Sequence, residues 1–294
     1  MNAFTIKDLE NLSGIKAHTI RIWEQRYSFI KPQRTDTNIR YYSNDELKAI
    51  LNIALLTRYG FKISHIDKMR PEEIRNKIIT LSAYQAQQER IVNDLIHSMV
   101  DLNLIKFEGI LDDYIAAKGI DKAITQVIFP YLERIGILWL TNHINPAQEH
   151  LVTNIIRQKL IVGIDGAFTH VQVKKTVLLF LPEGEHHELG LLYMYYLLKN
   201  RGVATLYLGA NVPVRDIEFV AGFKKPDYLY AHLTSVANGF NFEKFLQHIQ
   251  TKLPTFPVVI SGQVTQQYKK KIPANVTFIR SLQAVTEYVA SLGD

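Results

Sequence analysis

Glu185, His187 and Gly190 stand at a spacing that suits metal chemistry, within the run Pro182-Glu183-Gly184-Glu185-His186-His187-Glu188-Leu189-Gly190. A neutral imidazole is a good ligand for a borderline transition metal. A carboxylate two residues earlier can accept the proton of the other ring nitrogen, which fixes the tautomer and raises ligand basicity. Gly190 would let the backbone approach a bound group closely. The run lies where an apolar strand over 176–180 gives way to a helical pattern over 187–201. A strand-to-helix loop at the carboxyl edge of a parallel sheet is where such folds bind ligands. The chain has no cysteine, which excludes disulfides and thiolate sites and leaves His and carboxylates as the strong metal ligands.

A second constellation precedes it. Asn145 is a good N-cap, Pro146 suits the first helical position and Gln148 completes a capping box, so Glu149 and His150 fall in the opening turns of a helix. Trp139 closes the helix before. A tight turn between the two helices would bring the indole near both polar side chains.

Periodicity supplies the elements that would position these groups. Strand-like runs recur at 204–207, 228–233, 258–261 and 276–279, alternating with helical stretches at 213–223, 242–252, 265–271 and 281–292. Together with the strand at 176–180 they make five β/α units, which predicts a flavodoxin-like, doubly wound parallel sheet over residues 174–294. Upstream, one long helix over 71–98 and further helices at 102–118, 120–138 and 146–162 predict a four-helix bundle over 76–165.

The amino-terminal quarter has a different character. Residues 1–70 hold twelve Lys and Arg against seven acids, a balance of +5 out of the chain's net +6, which suggests a polyanion partner. Thr5 caps a short helix with Ile6, Leu9 and Leu12 on its apolar side. Ser13-Gly14 breaks it before a second helix from about Lys16 to Tyr27, a helix-turn-helix pattern. On that second helix Ile15, Ile20 and Trp23 fall at core-facing positions, while His18, Thr19, Arg21 and Arg26 face outward. The segment from Lys31 to Tyr42, turning at Thr35 to Asn38, predicts a two-stranded wing whose Arg34 and Arg40 clamp the sugar-phosphate backbone. Helical periodicity resumes over 45–59, and Gly60 to Ile66 reads as the last short helix of a winged helix-turn-helix domain over 1–70.

With 294 residues, 47% hydrophobic and 21% charged, the chain has the composition of a globular protein of two or three domains. Its amino terminus shows no basic-then-apolar leader pattern and no apolar run approaches membrane-spanning length, so a cytoplasmic protein without a membrane partner is expected.

Three resemblances give these patterns a common meaning. Thr19-Ile20-Arg21, Trp23-Glu24, Pro32-x-Arg34 and Arg40-x-Tyr42-Ser43 resemble the MerR family of transcription regulators, with Asn38 in place of the glycine usual at the wing turn. This adds Tyr42 to the DNA-contacting set of His18, Thr19, Arg21, Arg26, Arg34 and Arg40. The acid-x-His-x-x-Gly of Glu185, His187 and Gly190 resembles the cobalamin-binding signature of corrinoid proteins, in which the His ligates cobalt from below. Trp139, nine residues and then Glu149-His150 resembles the adenosylcobalamin-dependent photoreceptor repressors of the MerR family, the CarH and LitR type. There the Trp covers the upper axial group and the Glu and His line the adenosyl pocket.

The resemblance implies a DNA-binding repressor, not an enzyme, that senses adenosylcobalamin or another cobalamin, and light, and that binds double-stranded operator DNA as a homo-oligomer, dimer or tetramer. A helix near 71–98 would carry its dimer contact. Corrinoid proteins have a Ser near the end of the third strand and a Gly-Gly pair after the fourth, around the buried nucleotide tail. Here His232 takes the Ser place and Ser261-Gly262 the Gly-Gly place. Leu140 follows Trp139 where light-sensing relatives carry a His. The alternative is a cobalamin-independent regulator whose sensor region serves oligomerisation or partner binding.

Overall fold

Thr5 starts the first helix, α1 (Ile6–Ser13), through a reciprocal cap: its hydroxyl accepts from the Asp8 N–H, and the Asp8 carboxylate accepts from the Thr5 N–H at 2.6 Å. The computed structural model describes residues 3–140, 144–234 and 240–293, with side chains for all of these except 137–140. They divide into two compact units, Met1–Ile156 and Arg157–Asp294. No helix among the described residues is long and apolar enough to cross a membrane.

In the first unit, Gly14 ends α1 in the left-handed conformation (φ +76°) and α2 (Ala17–Arg26) follows. Ile20 and Trp23 of α2 are buried with Leu9 and Leu12 of α1, while Ile15, expected in the core, is only half-buried at the turn. The wing is β1 (Gln33–Arg34) paired antiparallel with β2 (Arg40–Tyr41), and Asn38 holds its turn at φ +64°, a conformation Asn tolerates. Next come α3 (Asn44–Arg58), with a Ser43/Glu46 capping box, and the short α4 (Ile63–Ile66).

The single long helix expected over 71–98 is instead two, α5 (Pro71–Ile79) and α6 (Tyr84–Val100). The Thr80 hydroxyl turns back to the Lys77 carbonyl at 2.9 Å, and Ala83 is extended (φ −61°, ψ 129°), so the chain restarts there. After α7 (Leu104–Lys118), the helix expected over 120–138 runs as α8 (Ile120–Ala123), a π-helical stretch Ile124–Ile128 and α9 (Phe129–Leu140). Pro130, which has no N–H to give the turn before it, stands two residues beyond the widened stretch. α10 (Pro146–Gly166) has the expected cap: the Asn145 side chain accepts from the Ala147 N–H, and Gln148 accepts from the Asn145 N–H. α6 packs on α3, α7 and α9, and α9 packs also on α1. The Gln148 amide donates to the carbonyls of Met99 and Val100 at the end of α6.

The second unit holds a five-stranded sheet, all parallel, in the order β4-β3-β5-β6-β7. Along the chain it runs β3 (Val173–Pro182), α11 (Leu189–Asn200), β4 (Val203–Val212), α12 (Val214–Lys224), β5 (Tyr228–His232), α13 (Phe242–Lys252), β6 (Val258–Ser261), α14 (Gln263–Gln267), β7 (Val276–Ile279) and α15 (Leu282–Ser291). Side chains alternate across a strand. Leu178 and Phe180 therefore enter one core layer with Ile217, Phe245 and Ile249 of α12 and α13. Val177, Leu179 and Leu181 enter the other with Leu191 and Leu198 of α11 and Val285 and Val289 of α15. This is the expected doubly wound sheet. Strand order reverses at β3, whose neighbours β4 and β5 lead to helices on one face while α11 takes the other, so the crevice opens at the carboxyl ends of β3 and β5. α14 stops at Gln267, short of the expected 265–271, because Tyr268 turns extended and packs its ring on Phe242 and Phe278 (centroids 5.2 and 5.8 Å).

Candidate functional site

The loop after β3 is built around the carboxylate of Glu185. Gly184 (φ +89°) makes the turn, and its N–H donates to the side chain of Asn211 at 2.9 Å. Asn211, itself at φ +58° near the end of β4, donates its own N–H to the Glu185 carbonyl. The neighbouring strand thus fixes the loop. Glu185 is 2% exposed, and one oxygen accepts from the N–H groups of His186 and His187 and meets His187 Nδ1 at 2.6 Å. Burial alone would raise the pKa of this acid, but the hydrogen bonds from His187 and His186 outweigh it and hold the carboxyl below its ordinary range. Its other oxygen is buried with no hydrogen-bond partner among the described residues. The helix expected from 187 begins at Leu189, so His187 stays in the loop, half-buried. With Nδ1 tied to a carboxylate, Nε2 is the nitrogen such a pair assigns to a metal.

Sequence reading missed a second acid beside the first. Glu188 is 9% exposed, and its carboxylate accepts from Tyr207 Oη of β4 at 2.6 Å and from Arg157 of α10. Burial, then the bond to Glu188, pushes the Tyr207 phenol far up, and the Tyr195 ring stacks on that of Tyr207. Glu188 directly follows the motif's His in a polar run, and nothing local in the sequence marks it as buried.

At the mouth of the crevice, His232 Nδ1 meets Ser261 Oγ at 2.8 Å, and Tyr230 Oη meets the same hydroxyl at 2.6 Å. Burial holds His232 down at about 4, against the small raising effect of Glu185. Both glycines stand against other atoms of the chain. A Cβ on Gly190 would stand 2.2 Å from Cδ2 of His232, and one on Gly262 would stand 2.2 Å from the Leu233 carbonyl oxygen. Close approach at Gly190 is made by the imidazole of His232, and at Gly262 by the backbone of Leu233. Of the expected cofactor set, Glu185, His187, Gly190, His232, Ser261 and Gly262 thus converge on one sheet edge.

In the first unit, Glu149 and His150 are joined, His150 Nδ1 to Glu149 Oε2 at 3.1 Å, while the other Glu149 oxygen accepts from the Thr153 hydroxyl at 2.6 Å. His150 is largely exposed and Glu149 half-buried. Trp139 is in the last turn of α9, but its side chain, like residues 141–143, lies outside the described residues.

The candidate nucleic-acid face is the outer side of α2 and the wing. His18, Arg21, Arg26 and Arg34 are exposed, and Thr19 and Arg40 are partly so. Arg34 bonds across the wing to the Asn38 side chain at 2.7 Å, and Arg40 Nε holds Glu24 of α2 at 3.2 Å. Tyr42, expected on DNA, is instead fully buried: its hydroxyl donates to Glu24 and its backbone pairs with Phe4. Its ring is core, and through Glu24 it sets the wing against the recognition helix. Exposed Ile22 and Ile39 lie among the basic residues.

Residues 4–73 match the MerR HTH family regulatory proteins, and residues 91–162 match a B12 binding domain, a span that carries Trp139, Glu149 and His150. The chain is 26% identical over 273 residues to the HTH-type transcriptional repressor CarH of Myxococcus xanthus, covering 90% of this chain and 91% of that protein. It is 27% identical over 270 residues to the HTH-type transcriptional repressor CarA of the same organism, covering 91% of this chain and 89% of that one. Among solved structures, a monomethylamine corrinoid protein of Methanosarcina barkeri aligns with a TM-score of 0.56 at 13% identity, over 70% of this chain and 99% of that chain, a likeness of fold.

Proposed function

Because the chain couples a MerR-type helix-turn-helix domain to a B12 binding domain and is homologous to the CarH and CarA repressors, we propose that it is a cytoplasmic transcriptional repressor, not an enzyme, that binds operator DNA through residues 1–70 and senses adenosylcobalamin. Arg21 and Arg26 on α2, with Arg34 and Arg40 on the wing, would meet phosphates, and His18 and Thr19 would face the groove.

His187 would be the lower cobalt ligand. The observation that carries this is the buried Glu185 carboxylate, which accepts three hydrogen bonds on one oxygen and fixes the imidazole of His187. A lone imidazole so oriented suits a metal that arrives with its equatorial positions filled, as in a corrinoid. The cofactor supplies a cobalt–carbon bond that light can break. Trp139, Glu149 and His150 would face the adenosyl side, and a contact made in only one of two protein states is what allows a ligand to bias them. The dark, loaded protein would be the higher oligomer, dimer or tetramer, competent for operator DNA.

Protein loaded with adenosylcobalamin in darkness should elute with the cofactor and a His-ligated visible spectrum, and light should lower both its mass and its DNA affinity. His187→Ala should lose the spectrum. Retention of an unchanged spectrum by that variant would overturn the assignment. The second reading, a cobalamin-independent regulator, is favoured by His232, whose ring fills space at the crevice mouth. Mass and DNA affinity indifferent to cofactor and light would establish it.

A further inference from the structure

Resting on the corrinoid reading above, we infer that His232 is a specificity residue that closes the crevice beneath His187, so that this chain holds a corrinoid by its ring and cobalt and gains nothing from the nucleotide tail. The nucleotide of cobalamin hangs from the lower face of the corrin, the face a ligating His187 would occupy. A protein imidazole that takes the lower position displaces the cofactor's own base, and the displaced nucleotide must then be housed on that same side. In this fold the space on that side is the crevice between the carboxyl ends of β3, β5 and β6.

Beside Gly190, that crevice is occupied by the imidazole of His232. The two positions without side chains, Gly190 and Gly262, leave room that other atoms of the chain take up: Cδ2 and Nε2 of His232 stand 2.2 and 2.3 Å from where a Gly190 Cβ would be, and the Leu233 backbone takes the place at Gly262. The imidazole is held in position. Its Nδ1 bonds Ser261 Oγ at 2.8 Å, and that hydroxyl is bonded in turn to Tyr230 Oη at 2.6 Å, with Ser261 and Tyr230 each 1% exposed. Turning the ring out would leave a buried hydroxyl short of a partner, a cost that opposes tail entry. The displaced base then finds no compensating contacts, while a corrinoid without a tail loses nothing on ligation.

The test compares two probes, adenosylcobalamin and adenosylcobinamide, which lacks the nucleotide, by equilibrium dialysis in darkness against the full chain. The wild type should bind adenosylcobinamide at least as tightly as adenosylcobalamin. His232→Ser, and His232→Ser combined with Ser261→Gly, should bind adenosylcobalamin about tenfold more tightly than the wild type, and so raise its affinity relative to adenosylcobinamide. A wild type that prefers adenosylcobalamin by about tenfold would overturn the inference with no variant needed, and leave the corrinoid reading standing. Variants that fold, as judged by far-UV circular dichroism, yet gain no affinity for adenosylcobalamin would also overturn it. Failure of the wild type to bind either probe would overturn the corrinoid reading itself, and this inference with it.

Discussion

Arg134 donates to the carbonyl oxygen of Leu12 at 2.6 Å and to the side-chain oxygen of Asn93 at 2.7 Å, so a guanidinium on α9 closes the last turn of α1. Asn93 of α6 passes the link on by donating to the Leu51 carbonyl of α3. The helix that ends near Trp139 is thereby tied to the helix-turn-helix just before its turn. Arg134→Leu should leave the Leu12 carbonyl and the Asn93 oxygen unsatisfied and cost about 2–3 kcal/mol. Urea denaturation followed by circular dichroism measures this, and an unmoved midpoint would show that the network carries no stability.

On DNA, Arg21→Ala and Arg26→Ala should each reduce the slope of log K against log salt by about one phosphate contact. Tyr42→Phe should behave differently. It removes a buried hydroxyl from Glu24, so stability should fall by about 1 kcal/mol while the salt slope stays as in the wild type. Salt titrations on a promoter fragment separate the two classes, and a reduced slope for Tyr42→Phe would return that residue to the DNA-contacting set.

Glu185→Gln preserves size but replaces an acceptor-only group with one that presents an amide. The three hydrogen bonds converging on a single carboxylate oxygen would weaken, and the imidazole of His187 would lose its fixed orientation. Cofactor affinity should fall about 10- to 100-fold, as when other carboxylates behind metal-bound His are removed. Dialysis against adenosylcobalamin measures it, and equal affinity would assign the carboxylate to loop folding alone.

His97 of α6 gives a pH dependence. Burial holds it down at about 4, helped by the charges of Lys48, Lys106 and Arg134 and opposed by Asp101, and its Nε2 is buried without a hydrogen-bond partner among the described residues. Its folded pKa lies below that of the unfolded chain, so the unfolded state binds more protons between the two. The stability is therefore present above about pH 6.5 and is lost as pH falls towards 4, by up to about 3 kcal/mol. His97→Leu should flatten the pH dependence of the urea midpoint over that window. A wild-type slope in the variant would place the acid sensitivity elsewhere.

The sequence by itself determined most of the elements and which residues make up the candidate site. Alternation along β3 and the strands after it is a local property, as are the Thr5/Asp8 and Ser43/Glu46 caps and the left-handed turns at Gly14 and Asn38. Each depends on residues within a few positions of one another, so spacing alone reveals it. What only the tertiary structure decided depends on neighbours distant in the chain. The break between α5 and α6, and the early end of α14 where Tyr268 packs on Phe242, arise from competition between helix propensity and other contacts. Tyr42 carries a family pattern either way, and only the position of Glu24 makes it core rather than interface. The same holds at the crevice. Residues 190, 232 and 261 are far apart in sequence, and nothing in their spacing says that the ring of His232 takes the space beside Gly190. The strand order does, by setting β5 beside β3 and β6 beside β5 and so bringing the three residues together at one edge.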